Sequence, residues 1–229
     1  MKNIGIILAG GSGKRVGSDT PKQFLCVAGK TILEHTLKKF DSHPQIDEIM
    51  VVVPRKELER TRRIIENGDF PKVMYIVAGG KERYHSTLAA LKLLPEEEIN
   101  LLIHDAVRPM VTTKIISDVI TALKHYNAVN VAIPATDTII ETDSSHSFIE
   151  KAPARNRLYL VQTPQGFHRR TLVEAYEKAM QDPNFVTTDD CSVVLKYFPQ
   201  EKIKVVKGDP KNLKFTYAED LYLLEYLLK

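Results

Sequence analysis

The stretch Ile4-Gly5-Ile6-Ile7-Leu8-Ala9-Gly10-Gly11-Ser12-Gly13-Lys14-Arg15, closed by Pro21-Lys22-Gln23, decides the fold. Its first six residues form an apolar run that reads as a buried strand, and three glycines and two cations follow at once. Glycine has no Cβ, so backbone N–H groups there can turn inward and approach an anion closely. Lys14, Arg15 and Lys22 add positive charge around the same spot, and a polyphosphate is the natural guest. The loop is not a Walker A sequence, since no Gly-Lys-Ser/Thr stands at the required spacing. Nor is it a G-x-G-x-x-G fingerprint, and no acidic residue ends a second strand as a ribose hook would.

Outward from that loop, apolar periodicity alternates between two kinds of element. Thr31 opens an amphipathic helix through Phe40; Ile49–Val53 is a continuous apolar strand stopped by Pro54. A helix over Lys56–Ile65 leads to a strand over Val73–Val77, and a helix over Arg83–Leu94 to a strand over Leu101–Ile103. A helix over Thr112–Tyr126 then precedes a strand over Val129–Ile133. Strands apolar on both faces, alternating with helices, predict an α/β fold with a Rossmann-like, mostly parallel sheet covered on both sides. Residues 134–162 break the rhythm: Thr138–Ile140 and Leu158–Val161 read as short strands about a polar turn, an antiparallel arm leaving the sheet. An arm with apolar content needs a partner surface. Helices over Arg169–Met180 and Asp189–Tyr197, a strand over Ile203–Val206 and a helix over Tyr217–Leu228 complete a single domain, 1–229. Ligands bind beyond the carboxyl ends of such strands, which puts Gly10–Lys22, Gly79–Arg83 and His104–Arg108 on one rim.

The length of 229 residues allows a sizeable core, and 43% hydrophobic with 27% charged residues is ordinary for a globular chain. A net charge of +3 is too small to indicate a nucleic-acid binder. Cys26 and Cys191 stand far apart without metal-ligand spacing, which favours a reducing cytoplasm and no disulfide. The six-residue strand after Met1 is too short for a signal segment or a membrane span, so no membrane association is expected.

Two further clusters carry chemistry. In His104-Asp105-Ala106-Val107-Arg108-Pro109 the aspartate ends a buried strand at the rim, well placed to hold a divalent cation; a helix cap or a surface pair with Arg108 is the structural alternative. Gly79-Gly80-Lys81-Glu82-Arg83, with Ser86 beyond, repeats the order of strand, glycine turn and helix start. Its backbone and Ser86 can read a base edge and Arg83 a phosphate, or the stretch is a plain turn. His35, His43, His85, His125, His146 and His168 show no ligand spacing. No Gly-x-Ser-x-Gly surrounds Ser12, which disfavours serine hydrolase chemistry.

Taken with Gln162-Thr163-Pro164-Gln165 and Asn212-Leu213-Lys214, these ordered motifs resemble the cytidylyltransferases that join CTP to small polyol phosphates, the methylerythritol-phosphate and ribitol-phosphate enzymes. The resemblance covers nearly the whole chain, and it alone names the nucleotide. It implies that Ala9, Gly10, Gly11, Ser12, Gly13 and Lys14 wrap the triphosphate and that Arg15 and Lys22 stabilise the transition state. By the same likeness Gly80, Arg83, Ser86 and Ala106 surround cytosine and ribose, with Asp105 close to a Mg²⁺ ion. Arg108, Thr138, Arg155, Thr163 and Lys214, together with Asp105, match the positions that take the polyol phosphate, Lys214 as a catalytic residue. The arm at about 134–162, bearing Thr138 and Arg155, crosses between subunits in the family, which implies a homodimer with shared sites. Lys81 departs from the small or acidic residue common in relatives.

For the acceptor, Ala152-Pro153-Ala154-Arg155-Asn156 and Asp137-Thr138-Ile139-Ile140 look more like the ribitol 5-phosphate enzymes. Tyr159–Phe167 and Thr188-Asp189-Asp190 look at least as much like the methylerythritol enzymes. The lean is to ribitol 5-phosphate. A sugar-1-phosphate nucleotidylyltransferase and a silent nucleotide-binding module stand as more distant alternatives.

Overall fold

A computed structural model describes residues 1–11, 20–217 and 219–228. The first strand, β1 (Lys2–Leu8), pairs in parallel on one side with β4 (Glu48–Val53) and on the other with β6 (Ile99–Asp105). The seven-stranded sheet extends from β4 to β5 (Val73–Ala78), and from β6 to β10 (Tyr159–His168), β7 (Ala128–Pro134) and β11 (Ile203–Lys207). Within this sheet, among the described residues, only β10 runs against its neighbours. Small two-stranded pairs join β2 (Cys26–Val27) to β3 (Lys30–Thr31) and β8 (Glu141–Thr142) to β9 (Ile149–Lys151).

Period two along β1 divides the core. Ile7 faces one layer with Leu33, Leu37 and Phe40 of α1 (Ile32–Asp41) and Ile116 and Val119 of α4 (Thr113–Ala122). Ile4, Ile6 and Leu8 face the other, with Ala90 and Leu91 of α3 (Arg83–Leu91) and Leu172 and Tyr176 of α5 (Arg169–Ala179). Gly5 lets the Phe40 ring lie against the sheet, since a Cβ there would stand 2.9 Å from its Cδ1. A capping box fixes the start of α1: Thr31 Oγ1 accepts from the Glu34 N–H (3.2 Å), and the Glu34 carboxylate accepts from the Thr31 N–H (2.7 Å). The remaining helices are α2 (Leu58–Gly68), α6 (Asp190–Tyr197) and α7 (Asp220–Leu228).

The mostly parallel α/β sheet agrees with the sequence; the arm needs correction. Leu158–Val161 does not form an arm strand, because Tyr159–Val161 opens β10 inside the main sheet, between β6 and β7. Thr138–Ile140 is not a strand either; the arm's hairpin is β8 and β9. The excursion proper thus lies between the end of β7 and the start of β10. It is largely exposed, with Phe148 at 73% and Ile149 at 66%. No helix among the described residues is long and apolar enough to cross a membrane.

Candidate active site

The strand register builds the rim. Leu8 lies beside Asp105, so the ends of β1 and β6 coincide where the chain order reverses across the sheet, the place at which open α/β sheets bind ligands. Beyond β1, the Ala9 N–H donates to the Val52 carbonyl (2.7 Å), and its own carbonyl accepts from Gln23 Nε2 (2.7 Å). That second bond ties the start of the glycine loop to the turn that carries Lys22. Ser12, Gly13, Lys14 and Arg15 lie outside the described residues.

Lys22 is buried, and its ammonium donates to the Phe215 carbonyl (3.0 Å). Next to Phe215, the Lys214 ammonium reaches the Asp105 carboxylate at 2.8 Å. Arg83 Nε stands 3.5 Å from the same carboxylate and Arg108 Nε 3.8 Å. Burial alone would raise the Asp105 pKa, but Arg83, Lys214 and Arg108 reverse that and hold it well below the usual carboxylate range. Asp105 is therefore charged at every working pH.

Ser86 sits buried under the two glycine turns. A Cβ on Gly79 would stand 2.5 Å from Ser86 Oγ, and one on Gly10 3.3 Å. Glycine at 79 is thus required for the Gly79-Gly80 turn to close over the start of α3. Gly10, Gly11 and Gly80 remain exposed. Ala106 is buried, and its carbonyl accepts from Thr36 Oγ1 (2.7 Å).

His104 and Thr163 form the support beneath. The Arg108 carbonyl can only accept, so His104 Nε2 (3.1 Å) carries the proton. Nδ1 then accepts from Thr163 Oγ1 (3.0 Å), whose remaining lone pair takes the Asp105 N–H (3.1 Å). Burial pushes the His104 pKa down to about 4, so the ring is neutral and this pattern holds at neutral pH. Arg108 Nη1 donates to the Asn212 carbonyl (2.8 Å), and Asn212 Nδ2 donates to the Thr163 carbonyl (2.8 Å). Gln162 completes the clamp, donating to the Asp209 carbonyl (2.8 Å) and accepting from the Asp209 N–H (3.3 Å). Lys214 is thereby presented by a segment pinned to β10.

The structure thus gathers Ala9, Gly10, Gly11, Lys22, Gly80, Arg83, Ser86, Asp105, Ala106, Arg108, Thr163 and Lys214 along one rim. It does not bring Thr138 or Arg155 into the same contacts. Both are exposed on the arm, where Arg155 Nη1 donates to the Thr136 carbonyl (3.3 Å). Sequence reasoning missed Asp190, which pairs with Arg83 at 2.5 Å, and the supporting roles of His104, Gln162 and Asn212. The motifs around them were visible, but no periodicity says which side chain meets which.

Asp105 offers a cation one carboxylate, whose Oδ2 pairs with Lys214 and whose Oδ1 is held only loosely by Arg83, and no three His, Cys, Asp or Glu gather as a metal cluster among the described residues. Such a donor set fits Mg²⁺ held mainly by substrate phosphates, with one carboxylate from the protein.

The family described as 2-C-methyl-D-erythritol 4-phosphate cytidylyltransferase, IspD, matches residues 4–229. The chain is 48% identical over 230 residues to the bifunctional ribulose 5-phosphate reductase/CDP-ribitol pyrophosphorylase Bcs1 of Haemophilus influenzae. That match covers 100% of this chain and 48% of the relative, so the chain spans about half of that protein's length. It is 41% identical over 228 residues to the 2-C-methyl-D-erythritol 4-phosphate cytidylyltransferase of Thermobifida fusca, covering 97% of this chain and 92% of that one. Among solved structures, 4-diphosphocytidyl-2C-methyl-D-erythritol synthase from Anaerococcus prevotii superimposes with a TM-score of 0.86 at 33% identity, over 100% of this chain and 96% of that one.

Proposed function

The chain belongs to the IspD family of cytidylyltransferases, and on that premise we propose that it joins CMP from CTP to ribitol 5-phosphate, releasing pyrophosphate. The observation that carries the reading is the charge of the rim. Among the described residues, Lys22, Arg83, Arg108 and Lys214 converge there against the carboxylates of Asp105 and Asp190, an excess of two positive charges from four cations and two anions. A surface of this kind suits two polyanions brought together.

The acceptor phosphate is mostly dianionic at neutral pH, its second pKa being about 6, so it attacks without a general base. One of its oxygens forms a bond to the α-phosphorus of CTP while the bond from that phosphorus to the bridging oxygen breaks. The electron pair leaves with pyrophosphate. Both reactants are anions, so this chain's work is to position them and to meet the charge that gathers in flight. Lys22, Arg15 and the backbone amides of the glycine loop serve the triphosphate; Arg108 and Lys214 orient the acceptor. Asp105 would hold Mg²⁺, which when bound neutralises phosphate charge.

Thr138 and Arg155 stand exposed on the arm, outside the contacts of the rim, and in this reading they serve the acceptor of another copy of the chain, in a homodimer formed through the arm. The exposed Ile139, Ile140, Phe148 and Ile149 support it, an apolar set without cover in one chain. Arg155→Ala is expected to raise KM for the polyol phosphate roughly tenfold or more, the value of a lost charged hydrogen bond, about 1.5–3 kcal/mol. KM for CTP stays near the wild-type value, and equal effects on both substrates would contradict this division of the pocket.

Ribitol 5-phosphate is favoured by the residues around Arg155 and by the 48% identity to a protein named as a CDP-ribitol pyrophosphorylase. The second reading, 2-C-methyl-D-erythritol 4-phosphate, is favoured by the family description and the Thermobifida fusca relative. A branching methyl changes discrimination by only about 1–3 kcal/mol, so the acceptors must be compared directly. Pyrophosphate release with CTP is measured for each, and the expected kcat/KM is at least about tenfold higher for ribitol 5-phosphate. The reverse order assigns the methylerythritol substrate. Release with neither excludes both.

A further inference from the structure

Arg83 is the first residue of α3, and its guanidinium is held from behind. Nη1 donates to Asp190 Oδ2 at 2.5 Å, and Asp190 is wholly buried at the start of α6. The other Asp190 oxygen accepts from the Tyr176 hydroxyl at 2.6 Å. Gln165 fixes the backbone there: its Oε1 accepts from the Asp190 N–H (3.1 Å), and its Nε2 donates to the neighbouring Asp189 carboxylate (2.7 Å). Toward the rim the hold is loose. Arg83 Nε is 3.5 Å from Asp105.

We infer that Asp190, braced by Tyr176 and Gln165, is a positioning residue for nucleotide binding: it fixes the plane in which the Arg83 guanidinium is presented to CTP. The inference rests on the reading of the rim as a CTP site. An arginine fork has five donors in one plane, so anchoring Nη1 sets the direction of all the others. Asp190 also balances the single charge of Arg83, so that the guanidinium does not close fully onto Asp105 and occupy both its oxygens. Burial acts to lower the Arg83 pKa, but Asp190 and Asp105 outweigh it and keep the group charged. Burial, with Asp190 beside it, likewise raises the Tyr176 pKa and keeps that hydroxyl a donor.

The test compares wild type, Asp190→Asn, Tyr176→Phe and Arg83→Ala as full chains, measuring CTP affinity by calorimetry without acceptor, melting temperature, and both KM values with kcat. Asp190→Asn is expected to weaken CTP binding about tenfold, with kcat and the acceptor KM within about twofold, and to have little further effect in the Arg83→Ala background. Tyr176→Phe keeps the charge pair and is expected to weaken CTP binding by about threefold, which decides the matter if Asp190→Asn does not fold. A folded Asp190→Asn chain with wild-type CTP affinity overturns the inference. So does a loss that persists in full beside Arg83→Ala, or a Tyr176→Phe chain that loses melting temperature while its CTP affinity holds. Wild-type CTP binding without pyrophosphate release from either polyol phosphate defeats the functional reading while leaving these affinity comparisons valid. A wild-type chain that does not bind CTP defeats both.

Discussion

Replacing Lys22 with alanine is expected to lower kcat by about a hundredfold or more, because a preorganised donor aimed at developing charge is worth roughly 2.7–4 kcal/mol. The structure holds this ammonium in place. Gln23 ties the turn to Ala9, Arg60 stacks over the Phe24 ring at 4.4 Å, and Lys22 itself donates to the Phe215 carbonyl. That last bond contributes to stability as well, about 1 kcal/mol net, so the variant melts a few degrees lower at most. The two effects separate by size: a hundredfold loss of turnover cannot come from so small a change in the folded fraction near 25 °C. Lys22→Met is the sharper control, since it keeps the alkyl stem that packs beside Gly11 and removes only the charge. Turnover near wild type in the methionine variant removes Lys22 from the mechanism.

How much of this is legible in the sequence varies with the distance between partners. β1 and its loop are read directly, because six apolar residues run straight into glycines. Asp105 is placed at the rim by the same rule, as the last residue of an apolar strand. β10 is hidden: Gln162-Thr163-Pro164-Gln165-Gly166 is polar and contains proline and glycine, which argues against a central strand. A register shift between Gln162 and Gln165 absorbs the proline, and both glutamines turn their amides to hold neighbouring segments. The arm's strands are illegible for the opposite reason, since Ile139 and Ile140 have the apolar character of a strand yet stay exposed outside the sheet. Arg83 and Asp190 are 107 positions apart, and Lys22 and Phe215 are 193 apart. Only folding brings such pairs together. Their residue types are visible beforehand, their partnership is not.

Asp105→Asn should have the largest effect on stability. The carboxylate lies among Arg83, Arg108 and Lys214, and an amide in its place leaves buried Arg108, half-buried Arg83 and exposed Lys214 facing one another. Breaking a buried ion cluster by removing one partner costs about 3–5 kcal/mol. The amide oxygen can still accept from Lys214, which favours the lower end, and at roughly 2–4 °C per kcal/mol the melting temperature falls by about 6 °C or more. The pH dependence distinguishes this cause from a packing defect. Because the native Asp105 pKa is depressed, its contribution is fully present above the unfolded value, about 3.9, and is lost as pH falls toward the native value. Denaturant titrations should therefore show a constant gap between wild type and variant from pH 7 down to about 5, narrowing by about 1 kcal/mol at pH 3. A gap that stays the same at pH 3 assigns the loss to shape rather than to charge. The same variant tests the proposed cation: an amide is a poorer ligand for a hard ion, so more Mg²⁺ is needed for half-maximal activity. Overlapping Mg²⁺ titrations would leave Asp105 as the counter-charge of the rim and nothing more.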